Sequence, residues 1–107
     1  MEKDFQIRKD GSVLTVVLGE ELSVLNSPAL QDELISYKDQ GVGKIVFDAT
    51  KLTYLSSSGV RVILYCKKFL STNLDVVFVN CNNEVYDVLD LVGLCPYITF
   101  VNSSSAT

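Results

Sequence analysis

The sequence predicts an α/β domain with a mixed central β-sheet, an N-terminal hairpin and helices packed against the sheet. Three observations carry this prediction. Short β-branched apolar runs recur at Val13–Leu18, residues 45–47 and residues 76–79, with the length and composition of strands. Between them stand segments whose apolar residues recur at helical spacing. A helix between two strands is a crossover, so those strands are expected to pair in parallel, whereas Asp10-Gly11 marks a tight turn and an antiparallel pair.

Residues 5–8 alternate apolar and polar side chains, as a half-buried strand does. Asp10-Gly11-Ser12 turns the chain into the second strand of the hairpin, which Gly19 ends. Residues 20–25 form a connector in which Leu22 and Leu25 are expected to pack on the core. Asn26-Ser27-Pro28 reads as a helix start, with Ser27 as N-cap and Pro28 at the first helical position. Leu30, Leu34, Ile35 and Tyr37 make the apolar stripe of that helix, Gln31, Asp32, Glu33 and Lys38 face outward, and Gly41 and Gly43 stop it.

The next strand begins at Lys44 and ends at Asp48. Ser56, Ser57 and Ser58 then precede a second helix, whose stripe is Val62, Ile63, Cys66, Phe69 and Leu70. Ser71-Thr72-Asn73 makes a short break. Residues 75–79 read as a strand buried on both faces. Asn82 or Asn83 caps a third helix over residues 84–92, with Val85, Val88, Leu89 and Val92 as its stripe and Gly93 at its end. Residues 97–101, after Pro96, make the last strand. One domain is expected over residues 1–101, and the small polar residues 102–107 are expected to be a disordered tail.

Composition narrows the function. A chain of 107 residues with 48% hydrophobic residues suffices for one core without staples. A net charge of −4 argues against a nucleic-acid surface and against docking on anionic lipid. Cys66, Cys81 and Cys95 show no C-x-x-C spacing, and the chain has no histidine, so no zinc or other metal site is expected. Cys66 is expected to pack as a small apolar side chain. Unpaired thiols fit a cytoplasmic location. Glu2, Lys3 and Asp4 directly after Met1 do not read as a signal peptide, and no apolar run approaches the ~18 residues of a membrane span. Without histidine there is no ordinary base for a serine or cysteine nucleophile, and no G-x-S-x-G, P-loop or G-x-G-x-x-G pattern occurs. No catalytic residue and no cofactor are expected.

The chemistry concentrates in the serine cluster. A helix N-terminus presents free amides and the positive end of the macrodipole, both of which favour a negative group. The run Leu52-Thr53-Tyr54-Leu55-Ser56-Ser57-Ser58-Gly59-Val60 resembles the signature of STAS domains, the anti-sigma factor antagonist family. The family pattern is an apolar residue, Asp, Ser, Ser or Thr, Gly, then an apolar residue. On this sequence Ser56 stands at the Asp, Ser57 at the phosphorylated serine, Ser58 at the next hydroxyl and Gly59 at the glycine. Strand and helix order match the family over nearly the whole chain.

The resemblance implies a domain that binds an anti-sigma factor of the serine-kinase type when unphosphorylated and releases it when Ser57 is phosphorylated, with Ser56 and Ser58 as alternative acceptors; the competing roles are a bare N-cap for Ser57 and hydroxyls bonded to nearby backbone for Ser56 and Ser58. The kinase would supply ATP, Mg²⁺ and the base, and a serine phosphatase would reverse the modification. It places Ser23, Asn26 and Ser27 beside the phosphorylation loop at the partner surface, where helix capping is the competing role. Asp48 is expected either to hold the loop by accepting its NH groups or to be a solvated turn residue. Ser56, Ser58 and Gly59 belong to the loop itself, with Gly59 allowing close approach of backbone, either of the helix turn or of a partner. Arg61, Leu64 and Tyr65 fall on the helix face away from the stripe, as a binding patch or a solvated face. The alternative implied function is a constitutive STAS subunit of a lipid-transport ABC complex or stress-signalling assembly, without phosphorylation. Ser56 in place of Asp favours that alternative, and the gene neighbourhood discriminates the two.

Overall fold

The computed structural model describes residues 5–70 and 73–102. Strands β1 (Phe5–Asp10) and β2 (Val13–Leu18) form an antiparallel hairpin, with Phe5 opposite Leu18 and Asp10 opposite Val13. Gly11 turns it at φ +62, the left-handed region that a side chain would resist. Strand β2 pairs in parallel with β4 (Lys44–Asp48), β4 with β6 (Asp75–Val79) and β6 with β7 (Ile98–Val101), giving the order β1-β2-β4-β6-β7. Helices α1 (Ser27–Ile35), α2 (Ser57–Tyr65) and α3 (Asn83–Leu91) supply the three crossovers. The mixed sheet and its antiparallel hairpin are as the sequence predicts.

Alternation along the strands builds one core. Leu14, Val16, Leu18, Ile45, Phe47, Val76, Phe78 and Ile98 point to one face and pack with Leu30 and Leu34 of α1, Val62 and Ile63 of α2, and Val85 and Leu89 of α3. The crossovers all step the same way across the sheet, and right-handed crossovers then place every helix on that face. The other face carries Thr15, Val17, Val46, Thr99 and Val101, which are half-buried or exposed. In β6, Val77 is buried on that second face and Val79 is half-buried.

A second ladder lies outside the main sheet. β3 (Glu21–Leu22) pairs in parallel with β5 (Tyr54–Leu55). Thr53 N donates to Glu20 O at 2.8 Å and Ser56 N to Leu22 O at 2.9 Å. A two-residue ladder leaves no periodic signal, so the connector carrying β3 looks formless in the sequence.

Several expectations give way to local geometry. Leu25 is 90% exposed, because the turn that closes on Asn26 aims it outward, while Leu22 alone packs on the core. The cap residue of α1 is Asn26, not Ser27, and Pro28 stands at the second helical position. Ile35 is exposed: beyond Leu34 the chain tightens into shorter bonds, Ser36 N to Glu33 O and Tyr37 N to Leu34 O. It leaves the helix at Asp39 (φ 67), before Gly41.

Helix α2 widens into a π turn over Cys66–Leu70. The smaller rotation per residue keeps Cys66 and Leu70 in the core and turns Phe69 outward, where its ring stacks on Tyr65 at 5.0 Å. α3 starts one residue earlier than expected, at Asn83, with Asn82 as its cap. Val92 is exposed as the C-cap residue, and Gly93 ends the helix at φ +80. Pro96 opens a 3-10 turn over Cys95–Tyr97, so the last strand starts at Ile98. The expected break at Ser71-Thr72 and the tail beyond Asn102 lie outside the described residues.

Candidate functional site

The serine cluster opens α2, and its position is fixed from both sides. Leu52 and Leu55 are buried, anchoring the approach from β4. The ladder of β5 on β3 then delivers Ser56 in extended conformation (φ −85, ψ 170). Its hydroxyl accepts from Gly59 N at 3.1 Å and donates to Leu22 O at 3.0 Å. Ser56 is therefore an N-cap with its hydroxyl committed. Ser57, the first helical residue, is exposed and makes no hydrogen bond through its side chain among the described residues. Ser58 is half-buried. The first turn of α2 carries no acidic residue.

Gly59 is buried, and the backbone that approaches it closely is the chain's own. A Cβ there would meet Leu55 Cδ1 at 2.7 Å, Leu22 Cγ at 2.9 Å and Leu22 O at 2.9 Å. Its place is thus inside the packing of β3 and β5 on α2, away from a partner's reach.

The connector before α1 is held by one side chain. Asn26 Oδ1 accepts from Ser23 N at 2.8 Å and its Nδ2 donates to Glu21 O at 2.8 Å. Ser27 N donates to Ser23 O at 2.9 Å, and Ser23 Oγ accepts from Leu25 N at 3.2 Å. Asn26 and Ser27 are buried, so they shape the surface without forming it. What the turn presents is Val24 and Leu25, 66% and 90% exposed. Sequence reasoning missed this pair, because an apolar residue in a connector reads as a core contact until the turn's closure is known.

Arg61 is exposed, Leu64 is 38% exposed and Tyr65 is half-buried against Phe69. A shallow groove of about 210 Å³ runs between α1 and α2, lined by Ser27, Pro28, Gln31 and Asp32 on one side and Ser58, Arg61 and Val62 on the other. The Ser27 hydroxyl is buried and has no hydrogen-bond partner among the described residues.

Asp48 does not hold the serine loop. Its Oδ1 accepts the N–H of Thr50 at 3.1 Å and the Thr50 hydroxyl, and Thr50 Oγ1 accepts from Asn80 Nδ2 at 2.8 Å. It fastens the turn after β4 to the end of β6, because Thr50 is two residues away and reaches it first.

Two of the thiols, Cys66 and Cys81, are held protonated by burial. Burial pushes the Cys66 thiol up to about 12 and the Cys81 thiol up to about 11, the latter with a smaller push from Cys95. The Tyr86 phenol is also raised, chiefly by its hydrogen bond to Cys95. Among the described residues no group of His, Cys, Asp or Glu could hold a metal ion, and no helix is long and apolar enough to cross a membrane.

Known proteins share the architecture. The STAS domain family matches residues 4–106. A curated protein of Bordetella bronchiseptica, BtrV, named as an anti-sigma factor antagonist, is 30% identical over 98 residues, covering 91% of this chain and 84% of its own length. The solved structure of the anti-sigma factor antagonist SpoIIAA in its unphosphorylated form superposes with a TM-score of 0.81 at 21% identity, over 95% of this chain and 91% of that one. The phosphorylated form of SpoIIAA from Bacillus gives 0.73 at 20% identity, over 95% of each chain. With the family matched along nearly all of its length, this chain belongs to the STAS domain family, the family of the anti-sigma factor antagonists.

Proposed function

We propose that this chain is a cytoplasmic anti-sigma factor antagonist whose partner, an anti-sigma factor of the serine-kinase type, phosphorylates it on Ser57. The observation that carries the proposal is the state of the three hydroxyls. Ser56 is committed as a cap, Ser58 is half-buried in the groove wall, and Ser57 is exposed and free at a helix N-terminus with no acid in its first turn. The kinase would transfer the γ-phosphoryl group of ATP to Ser57 Oγ. The bond to ADP breaks, and the hydroxyl proton passes to the kinase's base. A serine phosphatase returns the hydroxyl by hydrolysis.

Phosphate brings about −1.5 to −2 charges to the positive end of α2, where the fold accommodates it. A partner surface fitted to a neutral hydroxyl, and to the apolar pair Val24 and Leu25 on the neighbouring connector, would not accept it. The modification acts as a local switch on binding with little rearrangement inside the domain. The constitutive-subunit reading draws on Ser56 standing where the family has Asp. Serine caps a helix as well as aspartate does, and Ser56 makes the cap bond, so the substitution leaves the loop's geometry in place.

The test is binding of the kinase-type anti-sigma factor by calorimetry. Ser57→Ala is expected to bind like the unmodified protein and Ser57→Asp at least about tenfold more weakly, a loss of ~1.4 kcal/mol. Equal affinity for the two variants would show that the loop is a docking element and not a switch.

A further inference from the structure

We propose that Arg61 is the charge partner of the phosphoryl group on Ser57, and that the head of the α1–α2 groove is the seat in which that group settles. This rests on the phosphorylation reading and adds to it the residues that receive the modification. Ser57 and Arg61 are four residues apart on α2, so they lie on one face with Cβ atoms about 5–6 Å apart. Arg61 is exposed and makes no ion pair among the described residues. It lines the groove beside Ser58 and opposite Ser27 and Pro28. A free guanidinium one turn from Ser57 suits an acceptor-rich group, and a phosphate monoester offers three acceptor oxygens.

The opposing charge in the groove is Asp32 on α1, which repels a phosphate and competes for Arg61. Arg61 and Asp32 are the charged groups lining the groove. No ion pair ties them together, so Arg61 is available to the phosphate. The dianion, held one turn away on the same helix, outcompetes the carboxylate. Seating the phosphate here draws it against the body of the domain, and the surface at Ser57 becomes acidic without any shift of α2.

The experiment needs neither kinase nor partner. Phosphoserine is installed at position 57 by genetic-code expansion, and the second ionisation of the phosphate is followed by ³¹P NMR against pH. Arg61 favours the dianion, so the midpoint is expected below the ordinary value of about 6. Arg61→Gln should raise it by about half a pH unit, Arg61→Lys should restore part of the drop, and Asp32→Asn should lower it further. All of these differences should collapse in about 1 M salt. A midpoint unmoved by Arg61→Gln, in a protein whose circular dichroism and melting are unchanged, would overturn the seat. That result would leave the switch itself untouched, since the switch is read by partner binding. Conversely, a midpoint that moves while Ser57→Asp still binds the anti-sigma factor normally would count against the switch and support the seat.

Discussion

Helices α2 and α3 begin alike and end up doing different things. Each is preceded by an extended cap residue, Ser56 (ψ 170) or Asn82 (ψ 170), whose side chain accepts the third helical amide, Gly59 N at 3.1 Å or Val85 N at 2.8 Å. Each cap also donates across to a leucine carbonyl, Ser56 Oγ to Leu22 O and Asn82 Nδ2 to Leu52 O, both at 3.0 Å. The difference lies in the next three residues. α3 carries Glu84 in its first turn, so its dipole already faces a fixed negative charge, and its third position is the buried Val85. α2 carries no acid there, offers the free hydroxyl of Ser57, and its third position must be glycine. The cap is therefore a shared structural device, and the proposed switch draws on what α2 leaves unfilled.

Exchanging residues between the two helix starts tests this contrast. The largest effect is expected at the third position. Gly59→Val drives side-chain atoms into Leu22 and Leu55 and should cost about 3 kcal/mol in urea unfolding, whereas Val85→Ala opens a small cavity and should cost about 2 kcal/mol. A Gly59→Val protein as stable as wild type would mean that β3 and β5 do not rest on α2 as described. The caps come next. Ser56→Ala and Asn82→Ala should each lose ~1 kcal/mol, and Ser56→Asp should restore the cap.

The charge effect is smaller. Ser57→Asp should stabilise the domain by about 0.5 kcal/mol at low salt, and Asn83→Asp by less, because Glu84 already occupies that end of α3. Equal gains would erase the distinction between the helices. The smallest effect is confined to alkaline pH. Burial raises the Cys66 thiol from the ordinary 9.0 to about 12, so the folded state keeps a proton that the unfolded chain releases. That contribution is complete below pH 9.0 and is lost as pH rises toward 12. Chemical denaturation across this window should show stability falling, and Cys66→Ala should flatten part of the slope.

The contrast also explains what the sequence could reveal. Strand and helix order was legible because β-branched runs and helical stripes report burial directly, as at Leu14, Val16, Ile45, Val62 and Leu89. The helix start at the serine cluster was legible because a hydroxyl before an apolar stripe is a capping signal. What escaped depends on contacts between distant segments or on small changes of helical twist. The β3–β5 ladder joins residues that are far apart in the chain, and it determines which backbone approaches Gly59. The outward turn of Phe69 follows from a π turn, and the outward turn of Leu25 from two hydrogen bonds of Asn26. The bond from Asp48 to Thr50 is local, yet an aspartate at a strand end carries no mark of which neighbouring amide it will take.

The central claim is that Ser57, and not its capped neighbour, carries the switch. Intact mass of the protein purified from its own host, with peptide mapping of residues 52–67, tests it most directly. The account predicts a single phosphate on Ser57 under conditions in which the sigma factor is held back. A phosphate on Ser56, or none under any growth condition, would contradict it and leave the serines as a cap and a docking loop.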